Sequence, residues 1–130
     1  MELSNKKNLL SNNSFFLGSS ESFHKFIGGY ARNKIQAMTK PYKRKIGKCQ
    51  HCGLSQSELK SKGINLHAAH IHGNERKDII DNILDEFKFE NLYKVELEKF
   101  ESQFISSHNP IESIILILCE KCHTKYDNEK

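Results

Sequence analysis

Long apolar runs are missing from this 130-residue sequence, and the longest, Ile114 to Leu118, is far short of the roughly 20 residues that a membrane-spanning helix needs. Proline is scarce as well, with two in the whole chain. The N-terminal stretch MELSNKKNLLSNNSFFLG lacks the continuous apolar segment of a secretion signal. Acidic residues are nearly absent from the first third. Residues 1–48 hold ten Lys/Arg against two Glu, whereas residues 49–130 hold ten Lys/Arg against fourteen Asp/Glu. At 37% hydrophobic and 28% charged residues, the chain is too apolar for a disordered protein and too polar for a membrane protein. The expectation is one soluble, cytoplasmic domain with no membrane partner. The basic first third points to a polyanionic partner, and with no long basic amphipathic helix there, nucleic acid is favoured over a lipid surface.

Four cysteines are present, in two tight pairs: Cys49-x-x-Cys52 and Cys119-x-x-Cys122. A cytosolic chain does not keep disulfides, and a thioredoxin-like redox motif needs a βαβ pattern that this sequence lacks. Two such pairs supply the four thiolates of a tetrahedral structural Zn2+. Gly53 follows the first pair, as in a zinc knuckle, where glycine permits the tight turn that aims backbone N–H groups at the sulfurs.

Along the chain, residues 1–20 show no period and read as a loose arm. Phe23, Phe26, Ile27, Tyr30, Ile35 and Met38 recur at helical spacing, in one helix or in two divided at Gly28–Gly29. Lys40-Pro41 is expected to end that segment. The basic run after it (Lys40, Lys43, Arg44, Lys45 and Lys48, with Tyr42 interleaved) reads as a phosphate-contacting strip or as a solvated linker. Ser55 to Lys62 is a polar turn or short helix, and Ile64 to Ile71 alternates like a strand. Glu75 to Phe87 has Ile79, Ile80, Ile83, Leu84 and Phe87 on one helical face. A second amphipathic helix is expected within 92–106, a buried strand over Ile111 to Leu118, and a final helix from Glu120. A knuckle, two strands and a helix bearing the second cysteine pair make a treble clef.

Histidines crowd into His67-Ala-Ala-His70-Ile-His72-Gly73, and His123 abuts Cys122. Taken in order, Cys49-Gln-His-Cys52-Gly53, Ala69-His70-Ile71 and Leu118-Cys-Glu-Lys-Cys122-His123 resemble the HNH endonucleases of the ββα-metal superfamily, in the version scaffolded by two CxxC pairs. The match covers residues 49 to 127. The resemblance implies an α+β fold: a small treble-clef (ββα-metal) core on a structural zinc, with a helical insertion at 73–109 between the two core strands. Residues 1–48 form a basic N-terminal arm and helical extension, and 49–130 the nuclease-like domain. It also implies metal-dependent hydrolysis of DNA phosphodiester bonds, with restriction or phage defence as a setting.

By the same resemblance His70 is the general base that takes a proton from water, and His123 holds the catalytic divalent cation, Mg2+, Mn2+ or another. Asp127, one helical turn on, shares its face. This chain departs from the family at two places. Ala69 stands where an Asp or His ligand is common. In a strand His72 shares a face with His70 while His67 points the other way, and either is a substitute ligand. The middle Asn that orients the base belongs near Ser113 or Ile114, and the nearest candidate is Asn109, with His108 beside it. His51 and His24 read as structural or surface residues. DNA is the expected partner and RNA a lesser one, with a homodimer or a targeting or regulatory protein completing the assembly. The alternative is a non-catalytic treble-clef module that binds DNA or RNA.

Overall fold

A computed structural model describes residues 14–129. In chain order the elements are β1 (Phe15–Gly18), α1 (Ser20–Ile46), α2 (Gln56–Ser61), β2 (Leu66–His70), α3 (Arg76–Leu84), β3 (Lys88–Phe89), β4 (Leu92–Glu96), α4 (Leu97–Ser106), β5 (Ile115–Cys119) and α5 (Glu120–Asn128). The fold mixes helix and sheet, and it divides into two compact units. One comprises residues 14–33 and Glu75–Asn109; the other comprises Lys34–Asn74 and residues 110–129. The part of the expected N-terminal arm over residues 1–13 lies outside the described residues.

The first unit contains a three-stranded antiparallel sheet in the order β1-β4-β3. Its core is aromatic and aliphatic: Phe23 and Ile27 from α1, Ile79, Ile80, Ile83 and Leu84 from α3, Val95 from β4, and Phe100 and Phe104 from α4. Phe23 meets Phe100 edge-to-face with ring centroids 5.0 Å apart, the geometry that sets a ring's positive edge against its neighbour's negative face. The apolar spacing in 75–87 produced a helix that tightens into a 3-10 turn at Asp85–Phe87. Within 92–106 the helix starts only at Leu97. Leu92–Glu96 is the central strand of the sheet, and the sequence reading did not anticipate it. In that strand Val95 is fully buried while Lys94 is exposed, the alternation of a half-buried strand.

The second unit carries the cysteines. Strands β2 and β5 pair antiparallel from Leu66↔Cys119 to His70↔Ile115. Their core holds Cys49, Leu59, Leu66, Ala69, Ile115, Ile117, Leu118 and Cys119, with Tyr42 and Ile46 of α1 packed against it. Helix α2 starts in a capping box, in which the Ser55 hydroxyl accepts from Glu58 N–H and the Glu58 carboxylate accepts from Ser55 N–H. Strand β5 begins at Ile115, after a 3-10 turn at Ile111–Ser113.

Helix α1 is a single helix that runs through Gly28, Gly29 and Pro41. The expected stop at Lys40-Pro41 does not occur. Proline removes one intrahelical bond and disfavours helical angles before it, a cost of about 3 kcal/mol in a helix interior. Burial of Tyr42 and Ile46 in the cysteine unit's core offsets that cost. The helix stops instead at Gly47, whose φ of 64° places it in the left-handed region where its N–H meets the Lys43 carbonyl at 2.9 Å. Lys40, Lys43, Arg44 and Lys45 therefore lie in the last turns of a helix, and Lys48 follows it, bridged to Ser55. Among the described residues no helix is long and apolar enough to cross a membrane.

Candidate metal centre and an imidazole pair

The sulfurs of Cys49, Cys52, Cys119 and Cys122 lie within 4.8 Å of one another. Four thiolates about 2.3 Å from one tetrahedral ion stand roughly 3.8 Å apart, so the cluster fits a metal such as zinc with little movement. Two local features build it. Gly53, at φ 82°, lets the first pair turn tightly, and the N–H groups of His51 and Cys52 donate to Cys49 Sγ at 3.4 Å each. The second pair straddles the junction of β5 and α5, with Cys119 at the helix N-cap. Gln50 joins the two halves: its N–H donates to the Ile117 carbonyl, and its Oε1 accepts from Ile117 N–H.

The electrostatics of the cluster fit a cation. Burial opposes ionisation of Cys49, yet the backbone N–H groups of Cys52, Cys119 and His51 outweigh it and bring the thiol down to about 6. Cys122 is pushed up to about 12, by burial first and then by the sulfurs beside it. Four sulfurs this close cannot all ionise unless a positive charge sits among them. All four cysteines are free thiols. His51 Nδ1 approaches Cys122 Sγ at 3.5 Å, which puts an imidazole at the rim of the cluster.

Beside this cluster, in the same unit, the Nδ1 atoms of His67 and His123 lie 3.0 Å apart, their rings edge-to-face at 5.2 Å. On its far side His123 Nε2 is 3.4 Å from Asp127 Oδ2, one helical turn along α5. Burial, and then the nearby His123, hold His67 below the ordinary imidazole range; Lys43 acts in the same direction, and Glu120 offsets part of the effect. His67 and His123 line a cavity of about 640 Å³ together with Lys40, Lys43, Arg44 and Gln56. The cationic end of α1 and the imidazole pair thus face one space.

Several residues singled out in the sequence come together here: the four cysteines in one cluster, His123 with Asp127, and Lys40, Lys43 and Arg44 around the imidazole pair. Others sit elsewhere. Lys45 and Lys48 are exposed outside the cavity lining. His70 closes β2 in register with Ile115, and strand alternation puts it on the opposite face from His67. Asn109 is an exposed turn residue after α4, in the other unit, and its N–H donates to the Ser106 carbonyl. His108 is buried there, its Nδ1–H donating to the Phe104 carbonyl at 2.9 Å. His24 pairs with Asp81 at 2.7 Å.

His72 lies beyond the end of β2, so strand alternation does not fix its direction. Its ring stacks on Tyr126 at 3.8 Å, its N–H donates to the Tyr126 hydroxyl, and its Nε2 donates to the Tyr126 carbonyl. It fastens the end of β2 to α5. The sequence offers His67 and His72 alike as substitutes for the missing ligand, and it is His67 that meets His123. His67 shares its strand face with Ala69, the position where a ligand was missing. A scan of protein-family models, a search of curated proteins and a search of solved structures each return no match to this chain.

Proposed function

We propose that this protein is a metal-dependent DNA endonuclease of the HNH type, built as a treble clef on a structural zinc held by Cys49, Cys52, Cys119 and Cys122. One observation carries the reading. The positively charged end of α1 and the His67–His123 pair line the same cavity, in the unit that holds the four-sulfur cluster. The arrangement suits a phosphodiester, whose anionic oxygens Lys40, Lys43 and Arg44 would hold while imidazoles work on the linkage.

His67 and His123 would hold the catalytic cation through their facing Nδ1 atoms, with His67 as the strand ligand that Ala69 cannot be, while Asp127 meets the far nitrogen of His123, Nε2, and orients that ring. Two nitrogens 3.0 Å apart have the spacing of neighbouring ligands on one ion with bonds of about 2.1 Å. Two imidazole nitrogens with open positions suit Ni2+ or Zn2+ best and leave room for the waters that Mg2+ and Mn2+ keep. Such an ion supplies stabilisation of the charge that builds on phosphate and on the departing oxygen. The resemblance gives the role of proton acceptor to His70, which ends β2 on the face opposite His67 and does not line this cavity; cleavage by His70→Ala tests that role separately.

A second reading is a zinc module that binds DNA or RNA without cutting it. Ala69, which offers no ligand atom at the strand position, favours it. Incubating zinc-loaded protein with supercoiled plasmid and Mg2+ or Mn2+ separates the two. Nicking that is lost in His70→Ala and in His123→Ala, with zinc content retained, is the expected result. Salt-dependent binding with no cleavage under either metal selects the module, and equal nicking by wild type and His70→Ala rejects the role of His70.

A further inference from the structure

We propose that the exposed face of the β1-β4-β3 sheet is a two-fold homodimer interface. The register pairs Phe15 with Glu96, Leu17 with Lys94, and Phe89 with Leu92. Residues directly opposite in an antiparallel pair project from the same face, so these six side chains form one surface. The other face turns inward, with Val95 fully buried and the Phe16 ring 5.1 Å from that of Phe23.

An antiparallel sheet with one solvated face ordinarily carries polar residues there. Here Phe15 is 56% exposed, Leu17 61%, Phe89 53% and Leu92 40%. Together they present on the order of 400 Å² of apolar side chain, the size at which a contiguous patch on a monomer marks an interaction site. That is about half of the roughly 800 Å² per partner in a standard interface, and the charged side chains and strand ends around the patch supply a rim for the rest.

The charges on this face identify the occupant as a second copy. Lys94 and Glu96 stand two residues apart on the central strand, with Lys94 Nζ 5.3 Å above the Phe15 ring. Consider two copies stacked face to face about an axis that runs across the strands at the level of Val95. Lys94 of each copy then lies opposite Glu96 of the other, and Phe15 opposite Leu17. An axis along the strands would set Lys94 against Lys94 and Glu96 against Glu96. The surface is therefore self-complementary in one orientation and self-repelling in the other, which is what an isologous interface requires. This inference is independent of the nuclease reading, since it uses none of the residues in the cysteine unit.

Sedimentation velocity on the zinc-loaded full chain is the test. Wild type is expected to be a dimer at about 100 μM, and Leu17→Glu or Phe15→Glu should weaken self-association by about 100-fold. Lys94→Glu alone and Glu96→Lys alone should each weaken it about tenfold. Mixing those two variants, or combining both changes in one chain, should restore association. The charge variants change only side chains that project from the outer face of the sheet, so they keep the test decisive if an apolar-to-Glu variant fails to fold. A wild type that stays monomeric, or a dimer indifferent to Leu17→Glu, Phe15→Glu and the charge swap, overturns the proposal.

Discussion

Gln50 grips Ile117 from both sides of one residue: its N–H donates to the Ile117 carbonyl and its side-chain oxygen accepts the Ile117 N–H, each at 2.8 Å. Ile117 sits opposite Ala68 in β5, and through these bonds Gln50, between Cys49 and Cys52, is docked on the strand that ends at Cys119. Gln50→Ala should remove the side-chain bond and leave the N–H of the fully buried Ile117 without that partner, at a cost of about 1–3 kcal/mol. Because the bond aligns the two cysteine pairs, the variant should also release zinc to a chelator faster than wild type. Thermal denaturation with a metal-release assay checks both. Unchanged release would mean that the sulfurs alone set the geometry of the cluster.

Cys119→Ser and His123→Ala separate the thiolate cluster from the imidazole pair. Cys119 is buried in the core and is one of four sulfurs around the same point. Structural zinc contributes roughly 10 kcal/mol or more to small domains of this kind, so the serine variant should lose metal and unfold the cysteine unit. His123 lies on α5, where its ring meets His67 and no apolar core residue depends on it. His123→Ala should keep circular dichroism and zinc content while losing the cleavage proposed above. If both variants unfold alike, the assignment of separate structural and catalytic sites is wrong.

Much of this arrangement was legible in the sequence, and the gaps have physical causes. The CxxC spacing located the metal cluster because ligand spacing is a local property of two turns. The spacing of Ile79, Ile80, Ile83 and Leu84 located a helix for the same reason. By contrast, β4 was hidden because Leu92–Glu96 is short and gains its identity from pairing with Phe15–Gly18, nearly 80 residues earlier in the chain. The continuation of α1 past Pro41 was hidden because a local penalty is outweighed by tertiary burial of Tyr42 and Ile46. The His67–His123 pair needed the antiparallel register of β2 and β5, which sets the strand face that meets α5 and which no single segment specifies.

Acid should destabilise the unit that holds His108 in two separate windows. Burial depresses His108 below the ordinary imidazole value, and the Phe104 carbonyl offsets only part of this. Its neutral form is the one that folds. Above about pH 6.5 that contribution is fully present; as pH falls below it, the unfolded chain takes up a proton that the folded chain refuses, and stability declines. Asp81 is also lowered, with burial opposing and the pairing with His24 and Lys77 prevailing, so its contribution is lost only as pH falls further, through the carboxylate range. His108→Asn keeps an N–H donor for the Phe104 carbonyl and removes the titration. Urea midpoints measured from pH 7.5 to 5.5 should fall less steeply in this variant than in wild type, with His67 in the cysteine unit adding a slope of the same sign to both. Equal slopes would show that His108 protonates freely in the fold.

Binding to duplex DNA should sort the basic residues by position on α1 rather than by charge alone. Lys40, Lys43 and Arg44 line the cavity with His67 and His123; Lys45 is exposed outside it. Each phosphate contact contributes about one unit to the slope of log affinity against log salt. Replacing Lys40, Lys43 and Arg44 with Gln should therefore flatten that slope by about three units and weaken binding at low salt. Lys45→Gln should change it by less than one unit, because a charge outside the cavity retains water and counterions when the duplex docks. Fluorescence anisotropy across a salt series reads both numbers. Should Lys45→Gln flatten the slope as much as any single change among the other three, the duplex lies along the outer surface of the helix rather than in the cavity, and the imidazoles have no phosphate to act on.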